Sequence, residues 1–513
     1  MATVSFDGAE SVVNMTDPNL VAFGQAGPRS ASFWSWTTPG GDEVQALGFG
    51  MQFDAAGRAT AGTVTEVRID AGNDNAGLLD IHASGLPSLP AAALDDSAQA
   101  FWNAVLGGSD TIDATGLAAA QVGGGFSILF GDDLASVLGS SLAFPTDDGG
   151  NDAFTMGDGA YDVMGDAARV AGNTGFRLFA DYLGGDDTIA GGTTGLFNRF
   201  VGDAGSVGPN GRLGAGNDEI TVDSSTLNSE VAGDTGVVLG SASGRATVVG
   251  GDDTLEGGSS SEAKLVGDAI AVDGFADVSG GDDFILDGDR GNELFGDVLV
   301  LRGNGTSTVR GGDDAVLGRG GNDRIAGDAG RIEGPNTLVG GDDALDGGDG
   351  NDTIFGEVAT EGALPPGVSG GNDAIFGGAG NDRMFGQTGE DTLSGGAGRD
   401  GLFGGDGNDR LEGGGGKDTL DGGAGADVYI GGGGADVFVF QGAFASNVVL
   451  DFQDGSDRFD LAAGLGFGDL AVRRDDFDGD GLADDVLVEV SGQGSFGVLN
   501  TALGAVDASD FLF

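Results

Sequence analysis

The sequence contains no cysteine and only one histidine, His82. The absence of cysteine excludes disulfides, thiol nucleophiles, cysteine zinc sites and iron–sulfur clusters. A Ser-His-Asp triad would depend on His82 alone, and a histidine-rich zinc site is impossible. The HExxH and GxSxG motifs of metalloproteases and lipases are also missing. We therefore predict that the chain is not an enzyme, although carboxylate-only catalysis of the glycosidase type stays open.

Basic residues and long apolar runs are also scarce. Lys and Arg number 22 against 82 Asp and Glu, which gives a net charge of −60. This charge disfavours nucleic acid and anionic membranes as partners, and no run of about 18 apolar residues predicts a membrane span. The start of the chain lacks the basic and apolar segments of a signal peptide. Because 39% of the residues are hydrophobic, we expect a folded acidic protein that binds cations.

Glycine is abundant, with 107 residues against 10 prolines, and it marks a short repeat. Residues 377–439 divide without remainder into seven nine-residue units, or nonads, of the form GGDGNDRLE (404–412). The eighth position is always apolar, which predicts an inward-facing core ladder. The sixth position is always aspartate: Asp382, Asp391, Asp400, Asp409, Asp418, Asp427 and Asp436.

Upstream of the nonads the repeat lengthens. GGDD or GGND elements begin at Gly250, Gly280, Gly311, Gly340 and Gly370, at spacings of 30, 31, 29 and 30 residues. Each unit carries an insert of about a dozen residues that reads as additional strands. We therefore predict one wider coil per unit. A second register, with an acid after a glycine, runs beside it: Asp132, Asp166, Asp203, Asp234, Asp268, Asp297, Asp328 and Glu357.

Stacking such repeats brings aspartates of successive coils together. Carboxylates a few ångströms apart repel, and Ca²⁺, which accepts six to eight oxygen ligands in flexible geometry, relieves that repulsion. We predict calcium at the nonad aspartates rather than metal-free Asx-turns. In the longer units the corresponding candidates are Asp253, Asp283, Asp314, Asp323, Asp343, Asp352 and Asp373. For the glycine-acid register, calcium binding and a simple aspartate turn are both open.

A separate acidic loop lies in DDFDGDGLADD, residues 475–485. Asp476, Asp478, Asp480 and Asp484 match four ligand positions of an EF-hand-type loop, but Leu487 stands where a glutamate is expected. We predict a calcium loop between strands, with a solvated acidic turn as the alternative.

The nonads resemble the RTX (repeats-in-toxin) hemolysin-type calcium-binding family, whose pattern is GGxGxDxUx with U apolar. The resemblance implies an all-β fold, a right-handed parallel β-roll with two nonads per coil and several Ca²⁺ ions in the turns. Because the first coil of a parallel solenoid must be covered, we also predict an N-terminal cap with β character, and the alternating strands after about residue 440 predict a C-terminal β cap. The 30-residue units depart from the pattern because their leading glycines are replaced.

These patterns divide the chain into four predicted parts. Residues 1–105 form an N-terminal cap or assembly region, and 106–367 form a solenoid of wide coils. Residues 368–440 form the nonad roll, and 441–513 form a C-terminal cap. The ending, DFLF, is similar to signals read by type I secretion machinery. We therefore expect an extracellular, secreted protein, with attachment to the cell surface as a further option.

Phenylalanines at the ninth nonad position are expected to face outward, namely Phe355, Phe376, Phe385 and Phe403. Exposed aromatics at coil spacing indicate a covered surface, and the cover is either the N-terminal region of the same chain or another copy of the chain. We therefore predict a structural role with self-association or matrix contact, as in an S-layer-like array or an extracellular filament. The alternative is a secreted carbohydrate-binding or polysaccharide-active protein.

Overall fold

The computed structural model describes the backbone of strands within residues 3–183 and most residues from 184 to 513. The gaps after residue 183 are 191–198, 205, 210, 223–229, 240, 242–244, 259–262, 303–305, 442–443, 462–464, 478 and 480–481, and residues 199 and 211 are described by backbone alone. Nearly all of the described secondary structure is β-strand, with 3₁₀ turns at Phe467–Asp469 and Leu503–Ala505. Within these residues no helix combines the length and apolarity that a membrane span requires.

The chain divides into two compact units. The first comprises residues 1–281 with 303–307, and the second comprises 282–302 with 308–513. Each unit is described separately below.

The first unit begins with antiparallel strands. They are Thr3–Phe6, Gln25–Ser30, Phe33–Thr37, Glu43–Phe53, Ala59–Asp70 and Ile81–Pro90. The last five pair in chain order, and Thr3–Phe6 pairs antiparallel with Ile81–Pro90. Thr3–Phe6 also pairs in parallel with Thr111–Ala114, so one strand joins the antiparallel sheet to the parallel ladders that follow.

The rest of the first unit is made of parallel ladders, in which each strand pairs with its equivalent one coil later. The first ladder contains Thr111–Ala114, Ala153–Met156, Thr188–Ala190, Glu219–Thr221 and Thr254–Glu256. The second contains Ser127–Phe130, Tyr161–Met164, Arg199–Val201, Glu230–Ala232 and Lys264–Val266. The third contains Val137–Leu138 paired with Val170–Ala171, and Thr235–Leu239 paired with Ala269–Asp273. The fourth contains Ala180–Leu183, Gly211–Gly214, Ala246–Val249 and Ala276–Ser279.

The second unit has the same four kinds of ladder. Its first ladder contains Phe284–Leu286, Ala315–Leu317, Ala344–Asp346, Ala374–Gly380, Thr392–Gly398, Arg410–Gly416, Val428–Ile430 and Ser446–Val449, with the short strands Asp349–Gly350 and Gly433–Gly434 at its side. The second contains Glu293–Phe295, Arg324–Ala326, Thr353–Phe355, Arg383–Thr388, Gly401–Asp406, Thr419–Ala424, Val437–Phe440, Arg458–Leu461 and Phe511–Leu512. The third pairs Val298–Arg302 with Ala329–Ile332, and the fourth contains Thr308–Arg310, Thr337–Val339 and Val368–Ser369.

The width of a coil is set by these last two ladders. Ala315 pairs with Ala344 across a wide coil, whereas Thr392 pairs with Arg410 only 18 residues later. After Ser369 the described strands of the roll belong to the first two ladders, so each nonad coil has two strands, whereas the wide coils add strands or single bridges of the third and fourth ladders. The inserts therefore supply the third and fourth strands.

The core of the nonad roll is a double column of eighth-position side chains. In the first ladder these are Ile375, Leu393, Leu411 and Tyr429, and in the second they are Met384, Leu402, Leu420 and Phe438; all are fully buried. Alternate residues of a strand point to opposite faces, so one apolar position per nonad is enough to fill the narrow interior. The predicted core position is confirmed.

Antiparallel strands follow the roll at its C-terminal side. Leu470–Asp475 pairs with Asp485–Val490, which pairs with Gly494–Val498. The final strand, Phe511–Leu512, adds to the second ladder beside Arg458–Leu461. The all-β prediction with a parallel β-roll is confirmed, whereas the four-part division of the chain stays a prediction.

Candidate metal centre

The nonad aspartates lie where each turn leads into the next strand. All seven are at most 2% exposed. The following residues, such as Arg383 and Thr392, open the strands of the two ladders. The chain therefore buries one carboxylate per nonad at a fixed place in the coil.

One carboxylate oxygen of each aspartate accepts a hydrogen bond from a backbone N–H of the preceding coil. The backbone N–H of Asp382 donates to Oδ1 of Asp400 at 2.9 Å, and that of Asp400 donates to Oδ1 of Asp418 at 2.9 Å. On the other side of the roll the N–H of Asp391 donates to Oδ1 of Asp409 at 3.0 Å. The sixth-position side chains therefore connect successive coils.

The other oxygen of each carboxylate has no such bond. Among the described residues, Oδ2 of all seven nonad aspartates is buried without a hydrogen-bond partner. Because burial removes a polar atom from water, leaving it unsatisfied destabilises the fold. An unsatisfied buried oxygen that recurs in every nonad indicates that a group from outside the chain binds to it.

The first glycine of the nonad leaves space beside that oxygen. A Cβ on Gly395 would lie 2.7 Å from Oδ2 of Asp400 and 2.5 Å from the carbonyl oxygen of Gly413, one coil further on. A carboxylate and a carbonyl oxygen thus converge on a place that no side chain fills. The second glycine, Gly396, has φ +92, a conformation that favours glycine, and its Cβ would lie 2.1 Å from the carbonyl oxygen of Gly378.

Burial changes the acidity of these side chains. It raises the pKa of Asp409 to about 7 and that of Asp391 to about 6 from an ordinary value of 3.8. The inter-coil hydrogen bond that each carboxylate accepts opposes this shift without cancelling it. An ionised carboxylate in this position needs a nearby positive charge.

The wide coils repeat the arrangement at their GGDD aspartates. The N–H of Asp314 donates to Oδ1 of Asp343 at 2.9 Å, and that of Asp343 donates to Oδ1 of Asp373 at 2.9 Å. Asp323 and Asp352 are connected in the same way on the second ladder, at 2.7 Å. The predicted candidates of the wide coils are all buried: Asp253, Asp283, Asp314, Asp323, Asp343, Asp352 and Asp373.

Other buried acids were missing from the predicted ligand set. Asp187 and Asp218 are GGDD-type aspartates, and the GAGND sequence at 214–218 carries the signal that could have identified Asp218. The acids of the glycine-acid register in the described residues are all fully buried: Asp203, Asp234, Asp268, Asp297, Asp328 and Glu357. The sequence alone does not show whether the acids at these positions bind calcium or only cap their own turns.

The predicted C-terminal calcium loop lies partly outside the described residues, which include neither Asp478 nor Asp480. Asp476 and Asp484 are exposed. The buried acid of this segment is Asp485, which accepts hydrogen bonds from the N–H of Phe477 at 2.8 Å and of Asn500 at 2.9 Å. A calcium ion in this loop stays a prediction.

The prediction of four outward-facing phenylalanines is wrong for two of them. Phe355 is 1% exposed and Phe385 is 9% exposed. Their rings stack 5.0 Å apart, Phe385 stacks on Phe403 at 4.8 Å, and Arg324 and Arg383 lie over the rings of Phe355 and Phe385. Neighbouring coils and arginines of the same unit therefore cover this stack. Phe376, on the first ladder, is 46% exposed as predicted.

Buried columns of aspartate, each with one oxygen directed at a glycine-lined space, define a calcium-binding β-roll, because Ca²⁺ prefers carboxylate and carbonyl oxygens. A comparison with known protein families supports the assignment as a calcium-binding repeat. The family described as the RTX calcium-binding nonapeptide repeat matches four stretches, residues 302–331, 334–358, 368–402 and 403–438. The predicted resemblance is confirmed: the chain carries RTX repeats, and repeats of this kind bind several calcium ions per protein.

The search of curated proteins finds no match. Among solved structures, the crystal structure of the extracellular lipase LipA from Serratia marcescens is similar, with 15% sequence identity and a TM-score of 0.19. The similarity covers 44% of this chain and 40% of the lipase chain, so less than half of the lipase is spanned. A likeness at this score supports no argument about activity.

Proposed function

We propose that the chain is a secreted protein whose β-solenoid folds when calcium binds, and that the folded solenoid has a structural role at the cell surface or in an extracellular matrix. The observation that carries this proposal is the column of buried Oδ2 atoms without hydrogen-bond partners in the nonad roll. The proposed side-chain ligands are the nonad aspartates, Asp382 through Asp436, and the GGDD aspartates of the wide coils.

Calcium would act on folding as well as on the folded state. Binding that requires the stacked coils contributes its free energy to folding, so ligand binding and folding become one event. The net charge of −60 opposes compaction, and each bound Ca²⁺ offsets two negative charges. A chain of this kind would stay unfolded at low calcium and fold where calcium is abundant.

That behaviour suits export. RTX repeats are typical of proteins that leave the cell through type I secretion, and an unfolded chain can pass through a secretion channel. The C-terminal segment resembles the signals read by that machinery. Extracellular calcium would then complete the fold after transport.

The structural role is supported by apolar side chains on the surface. Phe284 and Phe376 lie on the first ladder of the second unit and are 41% and 46% exposed. Val339, on the fourth ladder of the same unit, is also exposed. Large exposed apolar side chains on a regular β-surface favour contact with another surface, and a second copy of the chain is the partner we propose.

The test is sedimentation analysis and electron microscopy of the purified chain with calcium and with chelator. We expect oligomers or ordered arrays in calcium, weaker assembly in Phe376→Ser, and no change in Leu482→Ser, a matched control on an exposed apolar residue outside the ladders. A protein that folds in calcium but stays monomeric at high concentration would contradict self-assembly and leave calcium-dependent folding intact.

A second candidate is binding of carbohydrate. A groove in the second unit is lined by Pro365, Phe385, Phe403, Gln387 and Asp406, which combines aromatic edges with amide and carboxylate groups. Retention of the monomeric, calcium-loaded protein on an immobilised polysaccharide, lost in Asp406→Ala, would favour this function over assembly, because Asp406 is exposed in this groove.

A further inference from the structure

The acids of the glycine-acid register, here called the inner acids, have no counterpart in the nonad pattern. They are Asp203, Asp234, Asp268, Asp297, Asp328 and Glu357, and each is fully buried. An ionisable group is rarely buried without a compensating partner. Their repeated burial calls for a physical reason.

In the first unit the inner acids lie among the GGDD aspartates. Carboxylate oxygens of Asp218, Asp234 and Asp253 all lie within 4.8 Å of one another, and those of Asp187, Asp203 and Asp218 do the same. Asp218 belongs to both groups. Asp203 and Asp234 thus each lie between GGDD-type aspartates of two successive coils, and the two groups share Asp218.

The side chain of Asp234 has an oxygen available for a ligand. The N–H of Gly251 donates to its Oδ1 at 3.2 Å, whereas its Oδ2 is buried without a hydrogen-bond partner among the described residues. A Cβ on Gly250 would lie 2.8 Å from that Oδ2 and 2.0 Å from Oδ1 of Asp268. Asp234 therefore directs an unsatisfied oxygen toward space that the glycine leaves open.

Backbone oxygens converge at the same place. A Cβ on Gly233 would lie 1.6 Å from Oδ2 of Asp253 and 2.3 Å from the carbonyl oxygen of Gly267. Carboxylate and carbonyl oxygens in this mixture are the donor set of a hard divalent cation. No nitrogen or sulfur donor from a side chain takes part, which disfavours zinc and copper.

The charges also balance. In the first unit each of three wide coils buries one GGDD-type aspartate and one inner acid, and one divalent cation per coil would neutralise that pair; the pairs are Asp187 with Asp203, Asp218 with Asp234, and Asp253 with Asp268. Wide coils of the second unit bury a further aspartate on the second ladder, such as Asp323 or Asp352. Without the cation, like charges would lie a few ångströms apart in a poorly hydrated interior, where their repulsion is strongest.

We infer that Asp218, Asp234 and Asp253 together hold one calcium ion, and that the inner acids form a second row of calcium sites through the wide coils. This goes beyond the proposed function, because the nonad sites can bind calcium whether or not the second row does.

The second unit repeats two of these features at its inner acids, namely the unsatisfied carboxylate oxygen and the glycine beside it. Oδ2 of Asp328 and Oε2 of Glu357 are buried without hydrogen-bond partners among its described residues. A Cβ on Gly340 would lie 2.3 Å from Oδ2 of Asp328, and one on Gly370 would lie 1.3 Å from Oε1 of Glu357. The first glycine of the GGDD element is thus needed to make room for the inner acid.

The test is a count of calcium bound to the full chain by equilibrium dialysis and elemental analysis, for the wild type and for Asp234→Asn. The variant keeps an oxygen for the N–H of Gly251 but loses the charge. We expect it to bind one calcium ion fewer. Asp252→Asn, at the exposed neighbouring position, is the matched control and should bind the wild-type number.

An unchanged count in Asp234→Asn would overturn the inference and leave Asp234 as a turn cap. If the variant does not fold, crystals of the wild type grown with terbium(III) decide. An anomalous peak among the three carboxylates supports the site, whereas terbium in the nonad turns with none beside Asp234 overturns it. Terbium at neither place would instead contradict the calcium-binding function itself.

Discussion

Replacing one nonad aspartate with asparagine should change stability in opposite directions with and without calcium. Asp391→Asn keeps an oxygen at Oδ1, which accepts the N–H of Asp373 at 2.9 Å, but removes the charge at Oδ2. Near Oδ2 lies the carbonyl oxygen of Gly404, which the new amide group can use as an acceptor, since both surround the open side of Gly386.

The size of the effect follows from the acidity of the buried carboxyl. Burial raises the pKa of Asp391 from 3.8 to about 6. Each unit corresponds to about 1.4 kcal/mol, so keeping this group ionised at neutral pH destabilises the metal-free fold by at most about 3 kcal/mol. The variant is free of that penalty. In calcium it has lost a charged ligand, so it should be less stable than the wild type.

The assay follows far-UV circular dichroism under two conditions. In chelator, the osmolyte TMAO is titrated to induce folding, and Asp391→Asn should fold at a lower TMAO concentration than the wild type. In a calcium titration it should fold at a higher calcium concentration. Asp406→Asn, an exposed aspartate of the same roll, should match the wild type in both. If Asp391→Asn needs as much TMAO as the wild type, the unsatisfied oxygen does not destabilise the metal-free fold and the reasoning fails.

Three further predictions concern pH, the glycine-lined space and the core. Burial raises the pKa of the nonad aspartates, so the metal-free fold should gain stability as pH falls through about 7 to about 4. Calcium binding should weaken over the same range. Circular dichroism measures the first effect, and a calcium titration at each pH measures the second. Gly395→Ala should raise the calcium concentration required for folding, because its Cβ would fill the space between the ligand oxygens, whereas Gly433→Ala, with no atom within 4 Å of the added Cβ, should not. Leu411→Ala removes a fully buried side chain and should reduce the free energy of unfolding in calcium by about 2–5 kcal/mol; Leu482→Ala, on an exposed residue, should change urea unfolding little.

The nonad roll could be predicted closely because its pattern is local. Every ninth residue repeats the same role, so the sequence alone identifies Asp382 to Asp436 as turn carboxylates and Leu393 and Leu411 as core. The structure adds the different surroundings of the two oxygens of each carboxylate: Oδ1 accepts a hydrogen bond from the preceding coil, and Oδ2 is buried without a hydrogen-bond partner. The hydrogen-bond donor comes from a coil 18 residues away, so the sequence of a single nonad does not show which oxygen is bonded.

The inner acids were harder to interpret because their surroundings come from other coils. Asp234 follows a glycine and reads as a turn, yet its partners Asp218 and Asp253 are 16 and 19 residues away in the sequence. Only the four-stranded coil brings them within reach of one another. The same limit explains Phe355 and Phe385, whose ninth position predicts exposure but whose neighbours on the second ladder cover them.

The central claim is that calcium completes the fold, and a calcium titration of the full chain followed by hydrogen exchange tests it most directly. The amides of Asp382, Asp391 and Asp400 donate to carboxylates of the following coil, so their protection reports coil stacking. We predict rapid exchange in chelator at neutral pH and strong protection once several calcium ions are bound. Equal protection in chelator and in calcium would contradict the claim.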